Sequence, residues 1–136
     1  MAHPLSHVEI YASDLKASVA FWQPLLEWLG WTSYQKWDDG QSWVSDGVYL
    51  VWVQAPEATR LVPYHRRNPG LNHLAFLAPD IQSIDALTLW LAEHQVKILY
   101  PSRHPRAGGS EYYGVFFEDP EGIKVEVHAP PSQPIG

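Results

Sequence analysis

The side chains best suited to chemistry in this sequence include two imidazoles at matching positions of a repeat. The segment HVEIYASDLKASVAFW, which starts at His7, aligns without gaps with HLAFLAPDIQSIDALT, which starts at His73. The offset between the two copies is 66 residues (73 − 7). Such self-similarity indicates two copies of one structural unit. Each copy is therefore predicted to begin with a strand that is headed by a histidine.

Alternation along the predicted strands groups the polar side chains on one face. Successive strand residues point to opposite faces, so His7, Glu9 and Tyr11 share a face in the segment HVEIY. In the segment IKVEVH, Glu126 and His128 share a face in the same way. The apolar faces can pack under helices, which leaves these polar groups in the hollow of a curved sheet. There an ionised carboxylate is costly unless it is paired or bound to a metal.

Composition narrows both the ligand chemistry and the class of protein. The 136 residues include no cysteine, so any metal must be held by His, Asp or Glu. The formal net charge of -6 and the lack of a basic stripe argue against binding to nucleic acid. The sequence contains neither a signal-peptide pattern nor an apolar run of about 18 residues. We therefore expect a cytoplasmic protein that does not associate with membranes.

The elements that must position these groups are predicted to be strand, helix and three strands, twice over. Asp14 and Asp80 precede the two amphipathic segments and are good N-caps, because their carboxylates accept hydrogen bonds from free backbone N–H groups. The first helix is predicted to end at Gly30 and to be kinked by Pro24. The second is predicted to end near His94 or Gln95.

The remaining strands are predicted from alternation and from the turn signals Asp-Gly and Asp-Pro-x-Gly. They cover Trp31–Trp37, Ser42–Ser45 and Val48–Gln54 in the first copy, and Val96–Tyr100, Tyr112–Glu118 and Ile123–His128 in the second. We expect an α+β fold of two βαβββ modules, which form a cupped mixed sheet with the helices on its outer face. The single domain would comprise module one at about 5–55, a linker at about 56–70, module two at about 71–129 and a flexible tail at 130–136.

The sequence resembles the vicinal oxygen chelate superfamily, which includes glyoxalase I, fosfomycin-resistance thiol transferases, bleomycin-binding proteins and extradiol dioxygenases. Three segments carry the resemblance: HVEIYASDLKASVAFWQPLL, GLNHLAF and YYGVFFEDPEGIKVEVH. Within the third, the residues that match a frequent closing pattern of the family are Phe117, Asp119, Pro120, Gly122 and Glu126. The resemblance covers nearly the whole chain, and it is more specific for the fold than for the reaction.

The resemblance implies that His7, His73 and Glu126 are the ligands of a divalent metal ion, with Glu126 also a candidate catalytic carboxylate. Manganese, iron, nickel, zinc and magnesium all fit such ligands. Glyoxalase I has a fourth ligand, a glutamate on the last strand of its first module, but here GVYLVWVQ is apolar until Gln54. A three-ligand ion would keep positions open for two adjacent oxygens of one substrate. Glu9, on the face of His7, is a candidate general base.

The function that the resemblance implies is that of a metal-dependent enzyme acting on a small molecule with vicinal oxygens, by isomerisation, lyase or thiol-addition chemistry. The alternative is a metal-free module of the bleomycin-resistance type, which binds an antibiotic or another small molecule. The cation-binding loop of the fosfomycin enzymes has no match here, so we expect no fosfomycin resistance on expression. Small chains of this family often dimerise, and we expect a homodimer in which His7 faces His73 and Glu126 of the other chain, with pairing inside one chain as the alternative.

Further residues are candidates for a substrate pocket, although aromatic residues in strands commonly belong to the core. The aromatic candidates are Tyr11, Trp52, Tyr112, Tyr113 and Phe116. The segment PSRHPRAGGS combines Pro, Gly and cations, which suits either a mobile loop over the site or a plain surface loop. Its Arg103 or Arg106 could meet a carboxylate or phosphate. His128 is expected at the surface together with His65, His94 and His104.

Overall fold

The computed structural model describes residues 5–131. Most of the predicted flexible tail, residues 132–136, lies outside the described residues. Backbone contacts group the chain into two compact units, Met1–Pro63 and Tyr64–Gly136. Among residues 5–131, each unit contains one sheet and one helix, and the two sheets have four and three strands. The predicted α+β class with a glyoxalase-like arrangement is confirmed.

The first unit contains a mixed four-stranded sheet with one helix against it. Its elements are β1 (His7–Ala12), α1 (Leu15–Trp28), β2 (Thr32–Trp37), β3 (Gly40–Ser45) and β4 (Val48–Gln54). The strand order is β1-β4-β3-β2, and β1 runs parallel to β4. Trp22 of α1 packs on Trp52 of β4 with ring centroids 4.6 Å apart, and both side chains are fully buried. This indole cluster forms the core of the unit on the helix side of the sheet.

Local signals explain where the elements of the first unit begin and end. Asp14 caps α1 as predicted, since its Oδ1 accepts a hydrogen bond from Ala17 N at 3.2 Å. Gln54 also secures this end, because its Oε1 accepts from Leu15 N at 3.0 Å. The turn between β3 and β4 contains Asp46 and Gly47, both with positive φ (49° and 79°), which is typical of the type I′ turn that suits a tight hairpin.

The second unit contains a mixed three-stranded sheet with one helix. Its elements are β5 (His73–Leu77), α2 (Ile81–Glu93), β6 (Gly114–Glu118) and β7 (Lys124–His128), with strand order β5-β7-β6. Strands β5 and β7 are parallel, whereas β6 and β7 are antiparallel. Asp80 caps α2 as predicted, accepting from Ser83 N at 2.8 Å. Ile84, Leu87 and Leu91 of α2 are buried and form the helix side of this core.

The strand predicted over Val96–Tyr100 is wrong in extent, because only an isolated bridge between Ile98 and Phe117 forms there. Gln95 and Tyr100 have positive φ (58° and 53°), so the backbone turns at both ends of this short stretch. Extended pairing cannot continue through residues in that conformation. The segment therefore borders β6 without becoming a full fourth strand.

The turn between β6 and β7 fixes the register that matters for the site. Asp119 Oδ1 accepts hydrogen bonds from Glu121 N and Ile123 N, both at 2.8 Å. The hairpin that results sets Phe116 opposite Glu126. Within residues 5–131, neither helix has the length and apolar character needed to cross a membrane.

Candidate functional site

The second unit brings His73 and Glu126 together on one face of its sheet. Strand pairing sets His73 opposite Lys124 and Ala75 opposite Glu126, so the two side chains are diagonal neighbours on adjacent parallel strands. The Nε2 atom of His73 lies 3.4 Å from Oε1 of Glu126. Glu126 is buried, whereas the side chain of His73 is about one third exposed, at 34%. The pair therefore has a buried carboxylate and an imidazole that solvent can reach.

Asn72 sets the tautomer of His73. The Nδ1 atom of His73 lies 2.7 Å from Oδ1 of Asn72. Because an amide oxygen can only accept, Nδ1 must carry the proton and donate. Neutral His73 then presents the lone pair of Nε2 to the carboxylate of Glu126, so that two acceptors face each other. That contact is favourable only when a cation lies beside both atoms or when a second proton makes the imidazole cationic.

The donor set of this pair fits a divalent metal ion. A histidine Nε2 and a carboxylate oxygen are common ligands of such ions, with bonds of about 2 Å. A separation of 3.4 Å between the two donor atoms is within the span of two such bonds. A hydrogen bond from Nδ1 to an acceptor is also the usual arrangement around a metal-bound histidine.

No third ligand completes the pair within residues 5–131, where the structure contains no group of three His, Asp or Glu side chains able to hold a metal ion. His7 belongs to the first unit, and its role as a ligand stays a prediction. Its ring stacks on that of Tyr49, with centroids 4.5 Å apart, and its Nδ1 lies 3.0 Å from the hydroxyl of Ser6. Glu9 and Tyr11 share its exposed face of β1, as strand alternation predicts.

The loop that follows Tyr100 closes over the carboxylate. A Cβ atom on Gly108 would lie only 3.0 Å from Oε2 of Glu126 and 3.5 Å from the ring of Phe116. Glycine therefore lets the loop backbone approach the carboxylate more closely than other residues would. The loop is secured in part by Gly114 N, which donates to Pro105 O at 2.9 Å.

A cavity of about 520 Å³ in the second unit contains this pair. Its charged and titratable lining residues are His73, Glu126, His128, Lys124 and Arg103, and its aromatic ones are Tyr100, Tyr112 and Phe116. The volume is in the range of sites that hold small molecules. The cavity thus combines candidate metal ligands, cations and aromatic walls.

The predicted pocket residues divide between different places. Arg103 and Phe116 line the cavity with His73 and Glu126. Arg106 and Tyr113 line a separate cavity of about 310 Å³. There the hydroxyl of Tyr113 donates to Oδ1 of Asp85 at 2.6 Å, and this hydrogen bond raises the pKa of Tyr113. Tyr11 is exposed on β1, and Trp52 lies in the core of the first unit, on the opposite face of the sheet from His7.

Several lining residues of the main cavity were not predicted as site residues. His128 was expected at the surface but is buried, with Nδ1 donating to Ala129 O at 2.8 Å and its ring edge-on to Tyr112. Strand alternation places Lys124 and His128 on the face of Glu126, as the sequence predicts, but it does not show that this part of the face lines a cavity. Tyr100 carried no such signal, because its positive φ and its place after an irregular segment depend on tertiary structure.

Comparison with known proteins identifies relatives along nearly the whole chain. The sequence is 49% identical over 126 residues to the uncharacterized protein YqjT of Bacillus subtilis (strain 168), covering 93% of this chain and 98% of that one. It is 30% identical over 128 residues to the glutathione transferase FosA of Serratia marcescens, covering 94% and 82% respectively.

A solved structure and a family profile agree with these relatives. The crystal structure described as a putative glyoxalase from Bacillus halodurans superimposes with a TM-score of 0.91 at 47% identity, covering 93% of this chain and 96% of that one. The profile of the Glyoxalase/Bleomycin resistance protein/Dioxygenase superfamily matches residues 5–127. The chain belongs to this superfamily, the vicinal oxygen chelate group that its repeat and closing motif resemble.

Proposed function

We propose that the protein is a metal-dependent enzyme in which His73 and Glu126 hold a divalent ion and His7 supplies a third ligand. The observation that carries the proposal is the contact between Nε2 of His73 and the carboxylate of Glu126 at 3.4 Å, with Nδ1 already donating to Asn72. A bound cation would satisfy both facing acceptors. The substrate would be a small molecule with vicinal oxygens.

The chain's own residues would prepare the site for such a substrate. An ion held there would act as a Lewis acid that polarises a substrate oxygen and as a template for two adjacent oxygens. Asn72 would keep Nε2 of His73 unprotonated, and the backbone at Gly108 would exclude water from one side of Glu126. Glu9, on the face of His7, remains our candidate for the group that takes a proton from the substrate.

Thiol addition is the reaction class that we favour among the chemistries of this family. The support is the 30% identity to a protein named as a glutathione transferase over 94% of the present chain. In such a reaction the thiol sulfur forms a bond to an electrophilic carbon of the substrate while a bond from that carbon to oxygen breaks, and the proton lost by the thiol is taken up by that oxygen. Substrate consumption that requires glutathione would support this class, whereas turnover that is independent of any thiol would favour isomerisation or lyase chemistry.

Elemental analysis of protein purified without added metal tests the proposal. We expect close to one divalent ion per chain, lost in His73→Ala. His94→Ala is the matched control, because His94 lies at the end of α2, stacked on Trp90 with centroids 4.1 Å apart. If the purified protein contains no metal and also fails to bind added Zn(II) or Mn(II), a metal-free binding protein becomes the better explanation.

The proposed enzyme would be a homodimer, since small chains of this superfamily often form dimers. The support is the resemblance, together with the fact that His7 belongs to the first unit whereas His73 and Glu126 belong to the second. A second copy of the chain could therefore supply His7. Size-exclusion chromatography with light scattering measures the mass directly. A monomer at micromolar concentration that still binds one metal ion would show that one chain suffices.

A further inference from the structure

Two cations line the cavity of the second unit without acidic partners. Neither Arg103 nor Lys124 forms an ion pair with an acidic side chain of residues 5–131. Among the described residues, Glu126 is the only acidic residue that lines the cavity, and it already contacts His73. This charge pattern runs against the formal net charge of -6 for the whole chain. From it we infer that the cavity contains an anion-binding subsite, which recognises a carboxylate or phosphoryl group of the substrate.

Tyr100 organises the two cations of this subsite. The Nζ atom of Lys124 donates to the hydroxyl of Tyr100 at 3.2 Å, and the guanidinium of Arg103 lies 4.6 Å from the centre of the same ring. The cation–π contact holds Arg103 without using any of its N–H donors. Lys124 likewise keeps N–H donors beyond the one that Tyr100 accepts. Both cations therefore retain directed donors for the oxygens of an anion, and hydrogen bonds between ionised groups are the stronger kind.

The position of the subsite relative to Glu126 indicates the shape of the ligand. Lys124 and Glu126 share one face of β7 and are two residues apart, which corresponds to about 7 Å along a strand. Lys124 Nζ and the Arg103 guanidinium both contact Tyr100, and within the described residues neither forms an ion pair with Glu126, so the group that they would bind is distinct from the oxygens that an ion on Glu126 would chelate. If the proposed function holds, the substrate is a small molecule with adjacent oxygens at one end and an anionic group a few bonds away.

Titration of the metal-free protein with inorganic phosphate and with acetate tests the subsite apart from the metal. Metal is removed on a chelating resin so that no soluble chelator competes, and binding is followed by amide chemical shifts at constant ionic strength. We expect binding of at least one anion, weakened about tenfold by Lys124→Met and by Arg103→Gln, because each removes charge-assisted hydrogen bonds. Lys124→Arg should retain binding. The matched controls Lys97→Met and Arg67→Gln, which change residues outside the cavity lining, should bind as the unmodified chain does.

The outcomes separate the inference from the proposed function. Preference for acetate would assign a carboxylate and preference for phosphate a phosphoryl group, and either supports the subsite. Binding of neither anion, or binding that Arg103→Gln and Lys124→Met leave unchanged, would overturn it. Should Lys124→Met fail to fold, Arg103→Gln decides alone, since Arg103 is exposed in a loop. Retained Zn(II) binding without anion binding refutes the subsite only, whereas anion binding without Zn(II) binding refutes the metal site only.

Discussion

Replacing Asn72 by leucine is expected to weaken metal binding without unfolding the protein. The side chain accepts one hydrogen bond, from Nδ1 of His73 at 2.7 Å, and in the neutral ring that bond places the proton on Nδ1 and leaves Nε2 free to bind a metal ion. Loss of such a partner typically lowers metal affinity 10- to 100-fold. Asn72 is exposed, so water can replace its amide oxygen in the variant. We therefore expect a loss of metal affinity at the lower end of this range, about tenfold, which corresponds to about 1.4 kcal/mol of binding free energy.

The assay combines an affinity with a direct reading of the tautomer. Zn(II) affinity is measured by competition with a chromophoric chelator, and the protonation of both ring nitrogens of His73 is read from long-range ¹H–¹⁵N spectra of the metal-free protein. Asn72→Asp should preserve both readings, because a carboxylate accepts the same hydrogen bond. Asn68→Leu is the matched control, because it replaces another exposed asparagine that lies before β5 and, in the described part of the chain, forms no hydrogen bond with His73.

The proposed role of Asn72 is refuted if Asn72→Leu binds Zn(II) as tightly as the unmodified chain while His73 still serves as a ligand. It also fails if Nδ1 of His73 is already unprotonated in the unmodified, metal-free protein. A loss of affinity with an unchanged tautomer would mean that Asn72 acts through the local backbone instead. The tautomer reading thus separates a positioning role from a merely structural one.

Three further outcomes follow from single contacts. Gly108→Ala should weaken Zn(II) binding by less than about tenfold, since the new Cβ would lie 3.0 Å from Oε2 of Glu126 and displace that carboxylate slightly. Unchanged Zn(II) affinity would show that the loop backbone moves and the carboxylate does not. Leu91→Ala should lower the free energy of unfolding in urea by roughly 2–5 kcal/mol because Leu91 is fully buried, whereas Leu89→Ala, at a 67% exposed site, should change it by less than about 0.5 kcal/mol. Hydrogen bonds from the hydroxyl and the backbone N–H of Ser83 lower the pKa of Asp80. Ionised Asp80 therefore stabilises the folded protein fully at pH values above the ordinary pKa of about 3.9, and this stabilisation is lost as the pH falls through the lowered pKa. Melting temperatures of Asp80→Ala and the unmodified chain should differ at pH 7 and converge in acid.

The sequence predicted best those features that depend on local rules. Asp14 and Asp80 cap their helices because an aspartate before an apolar periodic segment accepts free N–H groups in almost any context. Alternation placed His7 and Glu9 on one face correctly, since the period of a strand is fixed. The backbone conformation that ends α2 was not predictable in this way. Gln95 has a positive φ in a helix C-cap, where Gln95 N donates to Ala92 O and Val96 N donates to Leu91 O, and no glycine marks this cap in the sequence.

The cavity was harder to predict because its composition depends on which strands pair. His73 and Glu126 are far apart in the sequence, and only the parallel pairing of β5 with β7 makes them neighbours. Arg106 and Tyr113 were plausible companions of Arg103 on sequence grounds. They instead line another cavity, because the loop directs them toward Asp85 and Ser110. Long-range pairing and loop direction are tertiary properties that a single sequence encodes only weakly.

The two units preserve the same strand pairing and differ in the side chains placed on it. In the first unit β1 pairs with β4 so that His7 faces Tyr49 and Glu9 faces Val51. In the second, β5 pairs with β7 so that His73 faces Lys124 and Ala75 faces Glu126. On this face the first unit has His7 and Glu9 on its first strand, whereas the second unit has His73 on its first strand and both Glu126 and His128 on its last.

This difference has a chemical consequence. In the second unit Glu126 and His73 project from adjacent strands, and Oε1 of Glu126 lies 3.4 Å from Nε2 of His73. Lys124 lies on the same face of the strand as Glu126. In the first unit the strand opposite His7 presents Tyr49, Val51 and Val53, none of which can ligate a metal ion as Glu126 could. The facing pair His73 and Glu126 and the two cations of the proposed anion subsite therefore belong to the second unit. The first unit has His7 and Glu9 on this face of β1. Because Glu9 is exposed, it is better suited to proton transfer than to holding a metal ion.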